Sequence, residues 1–167
     1  MKKILEIIFV IIVIVGAGFL VVTHKNIPVE NSPVSEVDNG IDLCFYYDNK
    51  TSSNLYDVSW VTMNIKGDTV TGEFKNIPAE KDSKVGIFSG TVTPVDKQSM
   101  TRTIDSLWNS MAEGMQVIEQ LQIVFGEGTA QAEFGEMIDR GDGVYIYKDP
   151  TNFTLGVPMS DVACSDI

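Results

Sequence analysis

Hydrophobic and polar residues alternate along most of the chain after residue 40, as they do in β-strands with one buried face. The clearest alternation is in VTGEF at 70–74. The segments 121–125 and 129–134 alternate in the same way and are separated by Gly-Glu-Gly, which predicts a hairpin. Strand-type composition between turn residues predicts four further strands, at 41–47, 55–65, 85–92 and 144–148.

The segment 99–121 has two interpretations. Its apolar residues recur at three- and four-residue steps, which is typical of an amphipathic helix. If alternate residues are taken as one face of a strand, Ile104 and Trp108 lie on the same face. A turn at Glu113-Gly114 and a second strand from Val117 would follow. Glycine inside a helix costs about 1 kcal/mol, and the flanking segments resemble hairpins. Two strands are therefore favoured, and the helix stays open as the alternative.

This series of short strands, without a βαβ alternation, predicts an all-β fold, mainly antiparallel, in a small closed or nearly closed barrel of about eight strands. In such a barrel the first and last strands are neighbours. Cys44 on the first strand and Cys164 after the last would then form a disulfide, which is stable outside the cytoplasm. Two separate buried thiols are the alternative.

The N-terminal segment is strongly apolar. Residues 4–22 contain one charge and would span about 28 Å as a helix, close to the hydrocarbon thickness of a bilayer. Lys2 and Lys3 precede them, so we expect a single-pass anchor with its N-terminus in the cytoplasm and its C-terminal domain outside. A cleaved signal peptide is the alternative. The predicted organisation is an anchor at 1–22, a flexible linker at 23–40 and a barrel domain at 41–167.

Charge and composition exclude several classes of function. The formal net charge is −11, which disfavours binding to nucleic acid. The single histidine, His24, lies in the linker, so we expect neither a Ser-His-Asp triad nor a His-containing metal site in the barrel. No phosphate-binding or dinucleotide-binding glycine motif occurs, and we predict no cofactor.

An acidic segment leaves carboxylate chemistry open. AEFGEMIDRGDG carries Glu133, Glu136, Asp139 and Asp142 within ten residues. Two carboxyls across a cleft are enough for a hydrolase of envelope glycans, and Asp oxygens in a glycine-rich turn would suit calcium. A hairpin turn built from Asp and Gly explains the same residues without either chemistry.

Aromatic residues are the other candidates for a site. A ligand or partner surface would use the following residues: Tyr46, Trp60, Trp108, Tyr145 and Tyr147. The expected partner is an envelope protein or a small apolar ligand. Aromatic residues of this kind also build the core of a barrel, and that alternative stays open.

The runs NKTSSNLYDVSW, VTGEFKNIPAEKDSKVGIFSGTV and FGEMIDRGDGVYIYKD resemble a group of short bacterial envelope proteins with an N-terminal membrane anchor and no known activity. The resemblance covers most of residues 44–164 and implies location rather than catalysis. More loosely, the chain is similar to small calycin-like barrels such as envelope lysozyme inhibitors. The sequence therefore predicts a membrane-anchored, extracytoplasmic, non-catalytic binding or interaction module, with the glycan hydrolase as the alternative.

Overall fold

The computed structural model describes residues 40–167, and within this range nearly all of the chain is strand or tight turn. The ten strands are β1 (Ile41–Lys50), β2 (Tyr56–Lys66), β3 (Thr69–Ile77), β4 (Lys84–Val92), β5 (Arg102–Ala112), β6 (Met115–Gly126), β7 (Thr129–Phe134), β8 (Met137–Asp139), β9 (Val144–Tyr147) and β10 (Leu155–Asp161). A short 3-10 turn, Cys164–Asp166, follows β10.

Eight of these strands form a closed antiparallel barrel in the order β1-β2-β3-β4-β5-β6-β7-β10, with β10 returning to β1. The predicted antiparallel eight-stranded barrel is thus confirmed. The remaining two strands form a small antiparallel pair outside the barrel. Of these, β9 runs parallel to β6 at Ile118 and Glu119, beside the part of β6 that β7 does not reach.

The ambiguous segment forms two strands, so the helix interpretation is wrong and the strand interpretation is confirmed. The strands β5 and β6 pair from Arg102 with Phe125 to Ala112 with Met115. Their connection is Glu113-Gly114, with φ angles of 50° and 78°, the left-handed conformation that a two-residue hairpin turn requires. The second strand begins at Met115, two residues before the predicted start. Pairing satisfies the backbone of both strands and puts the alternate side chains inside the barrel.

Large apolar side chains fill the interior. Trp108 and Phe74 are fully buried, with ring centroids 5.0 Å apart. Around them pack further buried side chains from the other barrel strands: Phe45, Val61, Val70, Phe88, Ile104, Leu121, Ile123, Ala132 and Met159. These are the inward positions of the alternating pattern. The barrel is therefore a packed core of the kind that small eight-stranded barrels have.

Glycines let β4 and β5 approach each other closely. A Cβ atom on Gly86 would collide with the backbone of Asn109, and one on Gly90 with the backbone of Asp105. The inward residues opposite them are small as well, Ser110 and Ser106. Small residues at these positions leave room for the Trp108 ring between them, as expected for a tightly curved sheet.

The disulfide between Cys44 and Cys164 is present, which confirms the predicted pairing. It joins β1 to the turn after β10 with a Cα–Cα distance of 5.2 Å. Beside it the backbone N–H of Val162 donates to the carbonyl of Cys44 at 2.9 Å. The first and last strands of the barrel are thus joined by a covalent bond.

The described part of the chain contains no helix that is long and apolar enough to cross a membrane. The predicted anchor at 4–22 and the linker up to residue 39 lie outside the described residues. The membrane topology therefore stays a prediction.

Candidate functional site

The shortest junction of the barrel is the one between β1 and β10. Its ladder pairs Phe45 with Asp161 and Tyr46 with Ser160, whereas β1 and β2 pair along the whole of β1. Among the described residues the ladder between β1 and β10 ends at Tyr46. The second half of β1 and the first half of β10 therefore present strand edges that are not paired with each other.

Pro158 explains why the ladder ends there. In an antiparallel pair, alternate residues direct their N–H and C=O groups toward the same neighbour. Val162 bonds to Cys44 of β1, so Ser160 and Pro158 also direct their backbone groups toward β1. The next partner of Pro158 in this register would be Asp48. Proline has no N–H to donate, so the hydrogen-bonded pair that would continue the ladder cannot form.

A cleft of about 430 Å³ opens where the two strands separate, and we call it the β1–β10 cleft. One wall is the end of β1 and the following turn: Tyr47, Thr51 and Ser52. The other wall is the start of β10: Leu155, Gly156, Val157 and Pro158. The floor and the far end come from β2, β3 and the loop after β3: Asp57, Ser59, Asn76, Pro78, Glu80 and Lys81.

Hydrogen bonds hold the rim of this cleft in place. Ser53, in the turn after β1, donates to the carboxylate of Glu80 at 2.7 Å. The carboxylate of Asp57 accepts a hydrogen bond from the backbone N–H of Ala79 at 2.8 Å. These contacts connect the β1–β2 turn and the start of β2 to the loop after β3. The cleft is therefore largely preformed, which lowers the entropy lost when a partner binds.

The floor of the cleft is polar, and the barrel around it is acidic. Ser59 is almost fully buried and donates to the side-chain oxygen of Asn76 at 2.9 Å. Asp57 and Glu80 line the cleft together with one cation, Lys81. Residues 40–167 contain 19 acidic and 9 basic residues, a net charge of −10. The electrostatic potential in and around the cleft therefore favours a cationic partner.

A second polar feature lies at the same end of the barrel, where Asn76 of β3 pairs with Lys84 of β4. The ammonium of Lys84 donates to both carboxylate oxygens of Glu119, at 2.7 and 2.8 Å. Glu119 is almost fully buried, and Lys84 also lies 5.9 Å from the centre of the Trp108 ring. Each charge satisfies the other, so this pair closes the end of the core rather than offering a free acid or base.

Two of the five aromatic residues proposed from the sequence are neighbours. Tyr46 and Trp60 are directly opposite each other on β1 and β2 and face outward. The ammonium of Lys75 lies 4.8 Å from the centre of the Trp60 ring, a cation–π contact. Trp108 is inside the core, where its indole N–H donates to the carbonyl of Gly86 at 3.1 Å.

The other two aromatic residues are on β9. Tyr145 is partly exposed, whereas Tyr147 is buried and packs edge-to-face against Phe153. The hydroxyl of Tyr147 donates to the carbonyl of Glu133 at 2.6 Å. Burial raises the pKa of Tyr147 to about 12, so its hydroxyl stays protonated at neutral pH. The five aromatic residues thus occupy three separate places in the fold.

The acidic residues proposed from the sequence are engaged in local contacts. Glu136 pairs with Lys148 at 2.8 Å, and the carboxylate of Asp139 accepts a hydrogen bond from the N–H of Gly141 at 2.7 Å. Asp142 pairs with Arg140, whose hydrogen bond lowers the pKa of that carboxyl. A general acid in a glycosidase needs the opposite shift. The described residues contain no cluster of His, Cys, Asp and Glu suited to a metal ion.

Sequence reasoning missed the residues that form the β1–β10 cleft. Leu155 is 60% exposed although it begins a barrel strand, and Pro158 lies in the middle of that strand, where the pairing with β1 stops. The local signal was the proline in LGVPMSD, because proline within a strand indicates an edge. Whether this proline opens a cleft depends on which strand lies beside it, and only the closed barrel shows that this strand is β1.

Comparison with protein-family models, with curated proteins and with solved structures finds no match for this chain.

Proposed function

We propose that this protein is a non-catalytic binding module, held at the outer side of a membrane by residues 4–22, and that its partner is another protein bound at the β1–β10 cleft. The observation that supports the proposal most is the interruption of the barrel at Pro158. A preformed cleft between two strand edges is an unusual feature in a barrel whose neighbouring strands are otherwise joined by ladders of at least five pairs.

The packing of the core favours a protein partner over a small apolar ligand. Barrels that carry such ligands enclose them, whereas here Trp108 and Phe74 occupy the centre of the interior. The cleft is open to solvent and combines apolar walls at Leu155 and Val157 with a polar floor. That combination suits the mixed surface of a polypeptide.

The disulfide supports an extracytoplasmic location. Disulfides persist in oxidising compartments and are rare in the cytosol. The Cys44–Cys164 bond joins the two ends of the barrel, and both cysteines of the protein are used in it. This agrees with export of the domain by an N-terminal anchor.

The alternative of a glycan hydrolase receives no support from the geometry. Its candidate residues, Glu136, Asp139 and Asp142, are exposed and paired with neighbours in the β8–β9 region. Catalysis by two carboxyls requires them to face each other across a cleft that holds the sugar. None of these three residues lines the β1–β10 cleft.

Site-specific photo-crosslinking in the cells that make the protein would test the proposal. A benzophenone amino acid would replace Leu155, which lines the cleft and is 60% exposed. The matched control is Ile87 on β4, which is 66% exposed and lies on the opposite side of the barrel. We expect a protein adduct of defined mass from position 155 and none from position 87.

Absence of an adduct at position 155, or the same adducts from both positions, would contradict the proposal. An adduct of twice the mass of the chain would identify a second copy as the occupant. That result would contradict a separate protein partner while keeping the cleft as the contact surface.

A further inference from the structure

We infer that the β1–β10 cleft binds an extended, basic segment of its partner as an added β-strand along β1, and that Pro158 keeps this place open. The inference rests on the function proposed above and adds the chemistry of what is bound. It follows from the backbone groups, the length of the edge and the charge of the cleft.

The edge of β1 provides the hydrogen bonds. The carbonyl of Cys44 accepts a hydrogen bond from the N–H of Val162, the residue after β10, so by alternation Asp48 and Lys50 also direct their N–H and C=O groups toward β10. Because Pro158 lacks an N–H, β10 cannot pair fully with them. A peptide in extended conformation has the complementary donors and acceptors, as in other cases of strand addition.

The length of the edge limits what can bind. From Tyr47 to Lys50 the free edge is four residues long, about 13 Å at the rise of a β-strand. A helix would not satisfy these backbone groups, because its own N–H and C=O groups are already paired internally. The occupant is therefore a strand of about four to five residues.

The charges in the cleft determine the amino-acid composition of the bound strand. Asp57 and Glu80 lie in the cleft, and the barrel around it has a net charge of −10. Successive side chains of an added strand alternate between the floor and the solvent. Lysine or arginine side chains directed to the floor would meet Asp57, whereas a second copy of this acidic chain would be repelled.

Peptide selection followed by two perturbations would test this inference. A phage library of random linear octapeptides would be selected on the oxidised full chain in mild detergent. We expect the enriched peptides to carry lysine or arginine at alternate positions. Two versions of the best peptide would then be N-methylated at alternate backbone nitrogens, one at the odd and one at the even positions, so that each version lacks the donors on one edge. We expect one of the two versions to bind at least tenfold more weakly than the unmodified peptide.

The variant Pro158→Val restores an N–H opposite Asp48 and should let the ladder close. We expect it to weaken the same peptide at least tenfold and to protect the new amide from hydrogen exchange. The control is Pro94→Val, an exposed loop position between β4 and β5, which should bind like the wild type. The N-methylated peptides test the wild-type chain, so the inference remains testable if Pro158→Val does not fold.

Three outcomes would overturn the inference. These are a selection that enriches no peptide, a selection that enriches acidic peptides, and a peptide whose affinity is unchanged by N-methylation at either the odd or the even positions. Such a result together with a protein adduct at position 155 would leave the proposed binding function intact. In that case the partner would use the cleft without adding a strand.

Discussion

The disulfide should make a large contribution to the stability of the barrel. It closes a loop with a sequence separation of 120 residues. In the chain-entropy model such a cross-link removes about 16 cal/mol/K from the unfolded chain, which is about 5 kcal/mol at 25 °C. The disulfide supports a short ladder, because β1 and β10 share only two paired positions. The whole domain is expected to have about 5–15 kcal/mol of stability.

Urea unfolding of the oxidised and the reduced protein, followed by the fluorescence of the buried Trp108 and the half-buried Trp60, measures this contribution directly. With a slope of about 1.5 kcal/mol per molar urea, the midpoint should fall by about 3 M on reduction. The slope should also rise, because the reduced unfolded chain is less compact. The double variant Cys44→Ala, Cys164→Ala should be at least as unstable as the reduced protein, in the absence of any reductant.

The comparison with reduced wild-type protein separates the covalent bond from packing. Cys44 is buried, so the alanine variant also loses contacts of the sulfur, whereas the reduced protein keeps them. A difference of less than about 1 kcal/mol between the oxidised and reduced proteins would refute the reasoning. It would mean that the unfolded chain is already restricted, or that the native bond is strained enough to cancel the gain.

Three further predictions concern the core and its polar contacts. Lys84→Met should destabilise the barrel by about 1–3 kcal/mol, because it leaves the carboxylate of Glu119 buried and unpaired. In a double-mutant cycle measured by urea unfolding, adding Glu119→Leu should recover stability. The pKa of Tyr147 is higher in the folded protein than in the unfolded chain, so the stabilising effect of its protonated hydroxyl should be complete below about pH 10 and be lost as the pH rises toward 12. In unfolding curves measured at high pH, Tyr147→Phe should remove this pH dependence. Gly86→Ala should cost about 1–3 kcal/mol in thermal unfolding by forcing β4 away from β5, whereas Ser89→Ala on the outer face of β4 should cost less than about 0.5 kcal/mol.

Alternation predicted most of the barrel because one face of each strand is buried. The hairpin at 121–134 was predictable because Leu121, Ile123 and Phe125 lie on the same face as Ala130 and Ala132 across a Glu-Gly turn. The closing strand β10 was less evident. Its apolar residues are few, and exposed Leu155 precedes a proline, so the pattern of Leu155–Asp161 is weak. Only the two cysteines indicated that the chain must return to β1.

The cleft could not be predicted from any single segment, because it depends on the register between strands about 110 residues apart in the sequence. The contact between Val162 and Cys44 sets that register. Four residues before Val162 is Pro158, and four residues after Cys44 is Asp48, so the missing proline N–H falls opposite a β1 residue whose backbone groups face β10. An odd offset would have directed the missing N–H toward β7 and left β1 paired. The site is therefore a consequence of the register between β1 and β10, and a change of register by one residue would remove it.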